Sequence, residues 1–549
     1  MPLHAVKRGR QREPFGQPMT LALAVPIVVL VTAALRIIPG VAWRFRGMDA
    51  GAHLLIRRQI RKHGMRLSMR GWPLLLDERH TYPWGFHWFL ALLPEAWLRR
   101  CPPLAAAICD SLHALLVALL AASLAPRIPP GIDPGAMALV AGLLVATAPA
   151  LLVVGFGPRA YEVTPRPFGE LLYTAAMTAA LWYLHDGHMA GAVAAVLAGG
   201  LLLLSSKFAA QVLLFCTPIV ALLTREAQLL LLLPLSVGAA LAMSGGAYWW
   251  VFRAQIAHLR FYRRRLQYEH PVLSTRNRGR DLARAAGRLL RHPADRDARL
   301  ALIRLAEGHT FLQFLLRNVL WCGVLILLAL SVFPIWAGPL RGWQVALMAW
   351  AVAPVAPFVL SSLRDFRFLG EAERYPEYGL APVAVLGAAG LLGVPAPLRW
   401  WLLAGYGLSL VPAFAYTFSR LRWNSRRLDG DALDALTAWL RTLPAGSVIL
   451  SLPWHLSFQV MLDVDHRYVA GIDAARWCRD YDRIFTRYPW LATDLQQWRR
   501  DYGAEVVVVD WPALEKAGIA YAFDALQLAF QNERFRAYRW PSAADEAAS

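Results

Sequence analysis

The stretch Phe45-Arg46-Gly47-Met48-Asp49-Ala50-Gly51-Ala52-His53-Leu54-Leu55-Ile56-Arg57-Arg58 follows the first apolar run of the chain, 19–38. It puts an acid and a basic cluster where a membrane protein would otherwise simply turn around. Asp49, His53 and Arg57 are spaced by four residues, so on a helix they share one face. A carboxylate there can serve as a general base or help ligate a divalent metal, and the arginines can hold a phosphate through paired N–H donors. The same spacing also fits a capped interfacial helix whose Arg57, Arg58, Arg61 and Lys62 touch lipid phosphates. Spacing leaves both open.

The composition decides the class of molecule around this stretch. Of 549 residues 57% are hydrophobic and 17% charged, with 22 Trp, and apolar runs of about 20 residues recur, the length that crosses about 30 Å of hydrocarbon. This excludes a soluble enzyme and predicts an α-helical polytopic membrane protein. The five cysteines (Cys101, Cys109, Cys216, Cys322, Cys478) are scattered and form no disulfide framework. The net charge of +20 suits anionic headgroups or phosphates better than nucleic acid in a helix bundle.

Residues 1–18 are basic and predict a cytoplasmic tail ahead of a retained signal-anchor. Further spans are expected at 104–126, 135–156, 168–185, 189–204, 208–223, 228–250, 311–333, 342–361, 376–396 and 399–419, about eleven in all. The run 84–98 is too short to span comfortably and predicts an interfacial helix. With that count, the loops 40–103, 157–167, 251–310 and 362–375 and the tail emerge opposite the N-terminus. Loop charge argues the other way: 251–310 carries fourteen arginines against five acids, a composition that the positive-inside rule assigns to the cytoplasm. After the membrane domain (19–420), residues 421–549 alternate helix and strand patterns. Helices are expected at 431–441 and 490–502 and strands at 447–452 and 505–510, a small α/β domain.

A second motif lies in the first loop: His80-Thr81-Tyr82-Pro83-Trp84-Gly85-Phe86-His87-Trp88. Its Pro and Gly force a turn, and its aromatics suit the headgroup zone. His80, Tyr82 and His87 are candidate contacts to donor or acceptor.

Taken together, Asp49-Ala-x-x-His53-Leu-x-x-Arg57 and Tyr-Pro-x-Gly in one long first loop resemble the GT-C class of membrane glycosyltransferases. The nearest flavour is the catalytic subunit of oligosaccharyltransferases and its bacterial relatives. The resemblance extends over most of the chain and implies a first-loop essential acid, interfacial helices and a soluble domain after the last span. It also implies a polyprenyl phosphate or pyrophosphate sugar donor. Carried over, it places Asp49 at the first-loop acid. In the second loop, where the class has an acidic pair, only Glu162 or Glu170 is available. Glu307, in Leu305-Ala306-Glu307-Gly308, resembles the acid that precedes a later span, and Arg374 with Tyr378 resembles the arginine-aromatic stretch of a late span. The tail lacks the tryptophan-rich acceptor motif of true oligosaccharyltransferases, which puts transfer to asparagine in doubt.

The expectation is therefore an inverting glycosyltransferase of the bacterial inner membrane with its site and tail facing the periplasm. Asp49, Glu162 and Glu307 are the catalytic candidates, and Arg57, Arg58, Arg374 and Tyr378 the phosphate-binding ones. His53, His80, Tyr82 and His87 line the donor or acceptor. A Mg or Mn ion on Asp49 and Glu162 is the one cofactor envisaged. The partners are the polyprenyl-linked donor, a glycan, lipid or protein acceptor, and membrane lipids, with no nucleic acid. Two alternatives stay open: a transporter of lipid-linked glycan or polysaccharide, and a non-catalytic scaffold of the same fold.

Overall fold

The computed structural model describes residues 19–43, 48–127, 132–152, 159, 161–269, 276–332, 342–427 and 430–541, without the side chains of Met48, Asp49, Asn424, Arg426 and Arg427. The apolar runs, rich in Ala and Leu, fold into helices. In chain order the first eight are α1 (Leu21–Ala42), α2 (Met48–Lys62), α3 (Gly85–Leu92), α4 (Glu95–Arg100), α5 (Leu104–Leu124), α6 (Pro134–Thr147), α7 (Pro149–Leu152) and α8 (Arg166–Asp186). The bundle's core is built on α1, α5, α6, α8 and the helix Leu380–Gly393, in which every residue from Leu380 to Leu391 is buried.

The expected eleven spans are only partly matched. Among the described residues five helices are long and apolar enough to cross: α1, α5, Lys207–Thr224, Gly342–Ser362 and Ala396–Trp423. A sixth would be the pair Thr310–Arg317 and Val319–Ala329, bent by 79° at Asn318. Three more apolar helices have 10–17 residues, and at 1.5 Å per residue a helix of that length falls short of the hydrocarbon thickness. The membrane domain is therefore multi-pass, with several helices broken or short because Pro, Gly and buried charge interrupt the apolar runs.

Residues 84–98 divide at Pro94 into the short helices α3 and α4, as expected of an interfacial segment. The α3 aromatic face packs onto the bundle, with Phe89 stacked on Phe168 of α8 at 5.2 Å between centroids.

The C-terminal region contains seven strands: β1 (Val448–Leu452), β2 (Arg467–Tyr468), β3 (Phe485–Arg487), β4 (Trp490–Leu491), β5 (Val506–Asp510), β6 (Gln527–Gln531) and β7 (Phe535–Arg539). Five of them form a sheet in the order β2-β1-β5-β7-β6, parallel as far as β5 and antiparallel beyond it. The strands expected at 447–452 and 505–510 are β1 and β5, buried at every position. The helix expected over 490–502 starts later, at Leu495, because Asp494 caps it by accepting from the Gln497 N–H. Trp490 and Leu491 pair instead with β3.

This region is not merely appended. Leu55, Ile56 and Ile60 of α2, together with Trp72, Leu74 and Leu76, belong to the same hydrophobic core as β1 and β5. The first loop also extends the sheet's edge: Leu75 N–H donates to Tyr468 O at 2.9 Å, and Tyr468 N–H to Pro73 O at 2.8 Å. The Asp77 carboxylate then accepts from the Ile472 and Asp473 N–H groups, both at 2.7 Å. A loop and a domain that share one dry core lie on the same side of the membrane. The chain therefore crosses an even number of times between them.

Candidate active site

The first turn of α2 opens toward the second loop, and its amide groups there have no partners within the helix. Glu162 supplies one: its Oε1 accepts from the Ala50 N–H at 3.2 Å. A carboxylate is favoured at a helix N-terminus by those amides and by the helix dipole. The backbone of Asp49 lies in this same turn; its side chain lies outside the described residues. Behind the turn, Gly51 is pressed on the C-terminal domain, where a Cβ would sit 1.5 Å from Phe458 O. Only glycine permits that approach.

Glu307 is held by a late helix. It accepts from Arg420 at 2.9 Å and Tyr416 at 3.3 Å, and Leu421, next to Arg420, packs with Tyr161, next to Glu162, and with Trp43.

Inside the bundle lies a buried ladder of charge whose members come from five separate parts of the sequence. Asp110 of α5 takes Arg36 of α1 at 2.9 Å and Arg159 in bidentate fashion at 2.8 and 2.9 Å. Arg159 continues to Glu170 of α8 at 2.8 Å. Glu377 receives Arg317 at 2.6 Å and Arg166 at 3.3 Å, and lies 3.9 Å from Arg159. These four arginines and three acids are all nearly inaccessible. Their pairing offsets the large cost of taking ions out of water. The ladder ties α1, α5, α8, the second loop, the bend at Arg317 and the late loop into one frame.

The aromatic motif of the first loop gathers beside α2. His53 Nδ1 and His87 Nε2 are 2.9 Å apart, and Tyr82 makes edge contacts with both rings. Burial pushes His53 down to about 3, with nearby Lys207 adding to the effect, and drives His87 well below its ordinary value. Both rings are thus neutral, one donating to the other. His80 sits apart from the pair, edge-on to Trp72 at 5.3 Å. Lys207 lies over the Tyr82 ring at 4.6 Å, and among the described residues no carboxylate pairs with it. The next residue, Phe208, carries Arg374 over its ring at 5.7 Å. Arg374 also pairs with Glu371. Tyr378 is buried against Tyr173 and Phe208.

Arg57 and Arg58 are placed differently from the phosphate-binding role expected of them. Arg57 donates to Leu90 O at 2.9 Å, Leu93 O at 2.5 Å and Glu95 at 3.1 Å. Arg58 reaches Glu95 at 3.3 Å and Leu462 O at 2.8 Å. They clamp α2 to α3, to α4 and to the C-terminal domain. The guanidinium fork that suits phosphate suits paired carbonyls equally well.

Sequence reasoning missed Arg36, Asp110, Arg317 and Lys207. The signal was present: a charge inside an apolar run is costly unless partnered, and Arg36, Asp110 and Arg317 each interrupt such a run.

Among the described residues no three His, Cys, Asp or Glu side chains converge as metal ligands. No family model matches the chain, and no curated protein matches it by sequence. Solved structures do match in fold. ArnT from Cupriavidus metallidurans bound to undecaprenyl phosphate aligns with a TM-score of 0.56 at 12% identity, covering 94% of this chain and 98% of that one. The Archaeoglobus fulgidus oligosaccharyltransferase tethered to an acceptor peptide aligns at 0.55 and 14%, covering 89% and 69%. The archaeal oligosaccharyltransferase AglB from the same organism, in complex with an inhibitory peptide and a dolichol-phosphate, aligns at 0.54 and 14%, covering 90% and 70%. An interfacial first loop, a broken-helix bundle and a terminal sheet thus meet in one architecture, and the chain has a GT-C-like fold.

Proposed function

We propose that the protein is a glycosyltransferase that moves a sugar or oligosaccharide from a polyprenyl phosphate or pyrophosphate to an acceptor. The acceptor is a hydroxyl or amide of a glycolipid, polysaccharide or protein on the external face of the bacterial inner membrane. The observation that carries this reading is the Glu162 carboxylate seated on the first turn of α2, beside Asp49, in a fold shared with structures holding undecaprenyl phosphate and dolichol-phosphate.

In this reading Asp49 and Glu162 draw the acceptor proton and orient the hydroxyl oxygen or amide nitrogen for in-line attack at the anomeric carbon, inverting it. Glu307, held by Arg420, is the third candidate acid. Lys207, over the Tyr82 ring, and Arg374, over the Phe208 ring, offset the charge gained by the leaving phosphate, with Tyr82 and the neutral His53–His87 pair walling the space. The two carboxylates are hard oxygen donors of the kind Mg or Mn prefers, and such an ion would be held by Asp49 and Glu162 with water completing its shell. When bound it would supply positive charge at the leaving group. Tyr378 and the ladder position these groups, and Arg57 and Arg58 hold the loop that bears them.

Sugar transfer from polyprenyl-linked donors tests this. Asp49→Asn and Glu162→Gln are each expected to lower kcat by about 10²-fold or more while the unfolding temperature stays unchanged. Lys207→Met is expected to raise KM for the donor more than it lowers kcat. Full activity in Asp49→Asn would overturn the reading. Unchanged glycan transport by that variant, with no transferase activity in the unsubstituted protein, would favour the transporter.

A further inference from the structure

The loop from 276 to 307 holds nine arginines against four acids, and the structure gives them a definite arrangement. Two helices, Gly279–Arg291 and Arg296–Glu307, pack together as a hairpin. On the first, Arg280, Arg284, Arg288 and Arg291 recur at intervals of four, four and three residues, one stripe of a 3.6-residue helix. Leu282, Ala285, Ala286 and Leu289 take the opposite face. No residue of this helix is buried, and Leu290 is 83% exposed. Leu300 and Ile303 of the second helix are exposed as well. Arg284 and Arg288 reach only exposed or marginal partners on the hairpin itself, Asp281 at 3.1 Å and Asp295 at 2.7 Å. Among the described residues no carboxylate pairs with Arg280 or Arg291.

The hairpin's height is fixed by its feet. Asn277 donates to the carbonyl of Ser362, the last residue of the span helix Gly342–Ser362, at 3.1 Å. The same Asn277 accepts from the Thr310 N–H at 2.8 Å, and its own N–H donates to Gly308 O at 3.1 Å, closing the base. Glu307 is tied to Arg420, near the end of the helix Ala396–Trp423. Both feet are thus bound where apolar helices end, which is the level of the lipid headgroups.

We propose that the hairpin 279–307 is a headgroup-binding arm that lies on the anionic surface of the bilayer beside the bundle. Its arginine stripe sits among lipid phosphates, and its exposed leucines rest at the acyl boundary. A hairpin with a basic stripe and with Leu290, Leu300 and Ile303 exposed is stable in the plane of such a surface, where apolar burial and charge attraction act together. Lipid phosphate also accounts for arginines in a loop that the charge rule alone would send to the cytoplasm. The inference does not depend on sugar transfer.

The test uses the full chain in lipid nanodiscs, labelled at Leu290→Cys with a polarity-sensitive fluorophore, the signal of the unsubstituted chain being subtracted. In discs rich in phosphatidylglycerol the emission should shift to the blue. Quenching by aqueous iodide should fall several-fold relative to phosphatidylcholine discs, and brominated lipid should quench instead. Raising the salt, which shortens the Debye length from about 10 Å at 0.1 M, should reverse the effect in part. Replacing Arg280, Arg284, Arg288 and Arg291 with Gln should abolish it. Equal iodide access in the two lipids would overturn the proposal without reference to how any variant folds. So would protection that survives loss of all four arginines.

Discussion

Arginine is used in two opposite ways in this protein, in the ladder buried inside the bundle and in the exposed hairpin 279–307. Arg159 is 2% exposed and meets three carboxylates from α5, α8 and the late loop. Arg284 is 77% exposed and meets one, three residues away on its own helix. The side chain is the same; the dielectric around it and the sequence distance of its partners differ. Inside the bundle each guanidinium is an obligatory cross-link, since an ion there without its partner has neither water nor counter-charge. On the hairpin it is a solvated charge, free to exchange one partner for another.

The comparison breaks first at the ladder. Arg159→Met would leave Asp110 and Glu170 buried and uncompensated, so it should cost about 3–5 kcal/mol. In detergent it should appear as a large fall in thermal midpoint or as failure to accumulate. A midpoint within a degree or two of the unsubstituted protein would mean that water reaches the ladder.

The next effect concerns the contact between first loop and C-terminal domain. Gly51→Ala places a methyl against Phe458 O. Overpacking of this kind costs about 1–3 kcal/mol, read as faster limited proteolysis between 430 and 541 with the bundle intact.

The histidine pair gives a smaller, pH-dependent effect where α2 meets α3. His53 has a folded value of about 3 against 6.5 when unfolded. Its contribution is therefore complete above about 6.5 and is lost as pH falls from there toward 3. The thermal midpoint should decline across that window, and His53→Phe should flatten the decline. An unchanged slope would mean that the ring stays neutral in both states or is not buried.

The smallest effect is on the hairpin. Arg284→Gln should change stability by less than about 0.5 kcal/mol. A larger loss would show that the hairpin's arginines are structural after all and would erase the contrast with Arg159.

Much of this was legible in the chain. Apolar runs and scarce charge specify a membrane bundle, and the Pro and Gly around Tyr82 specify a turn into a short interfacial helix. The paired helix and strand patterns after residue 430 were readable because each rests on neighbours within a few residues. The ladder was not readable. Its members stand at 36, 110, 159, 166, 170, 317 and 377, and no local pattern says which arginine meets which acid. Arg57 and Arg58 misled for the same reason. A helical face shows which way a guanidinium points, whereas its partners, Leu90, Leu93, Glu95 and Leu462, come from elsewhere. Glu162, by contrast, was singled out from the second loop, and the structure seats it on the turn that bears Asp49.

By itself the sequence determined the class of molecule and the amphipathic character of the arginine-rich loop, because periodicity and composition act over a few helical turns. Only the tertiary structure decided that the first loop and the C-terminal sheet form one core and that seven distant charges neutralise one another in the bundle. It also decided that Lys207 lies over the Tyr82 ring of the first loop and Arg374 over the Phe208 ring. Those outcomes depend on desolvation and close approach between segments hundreds of residues apart, and no spacing along the chain encodes them.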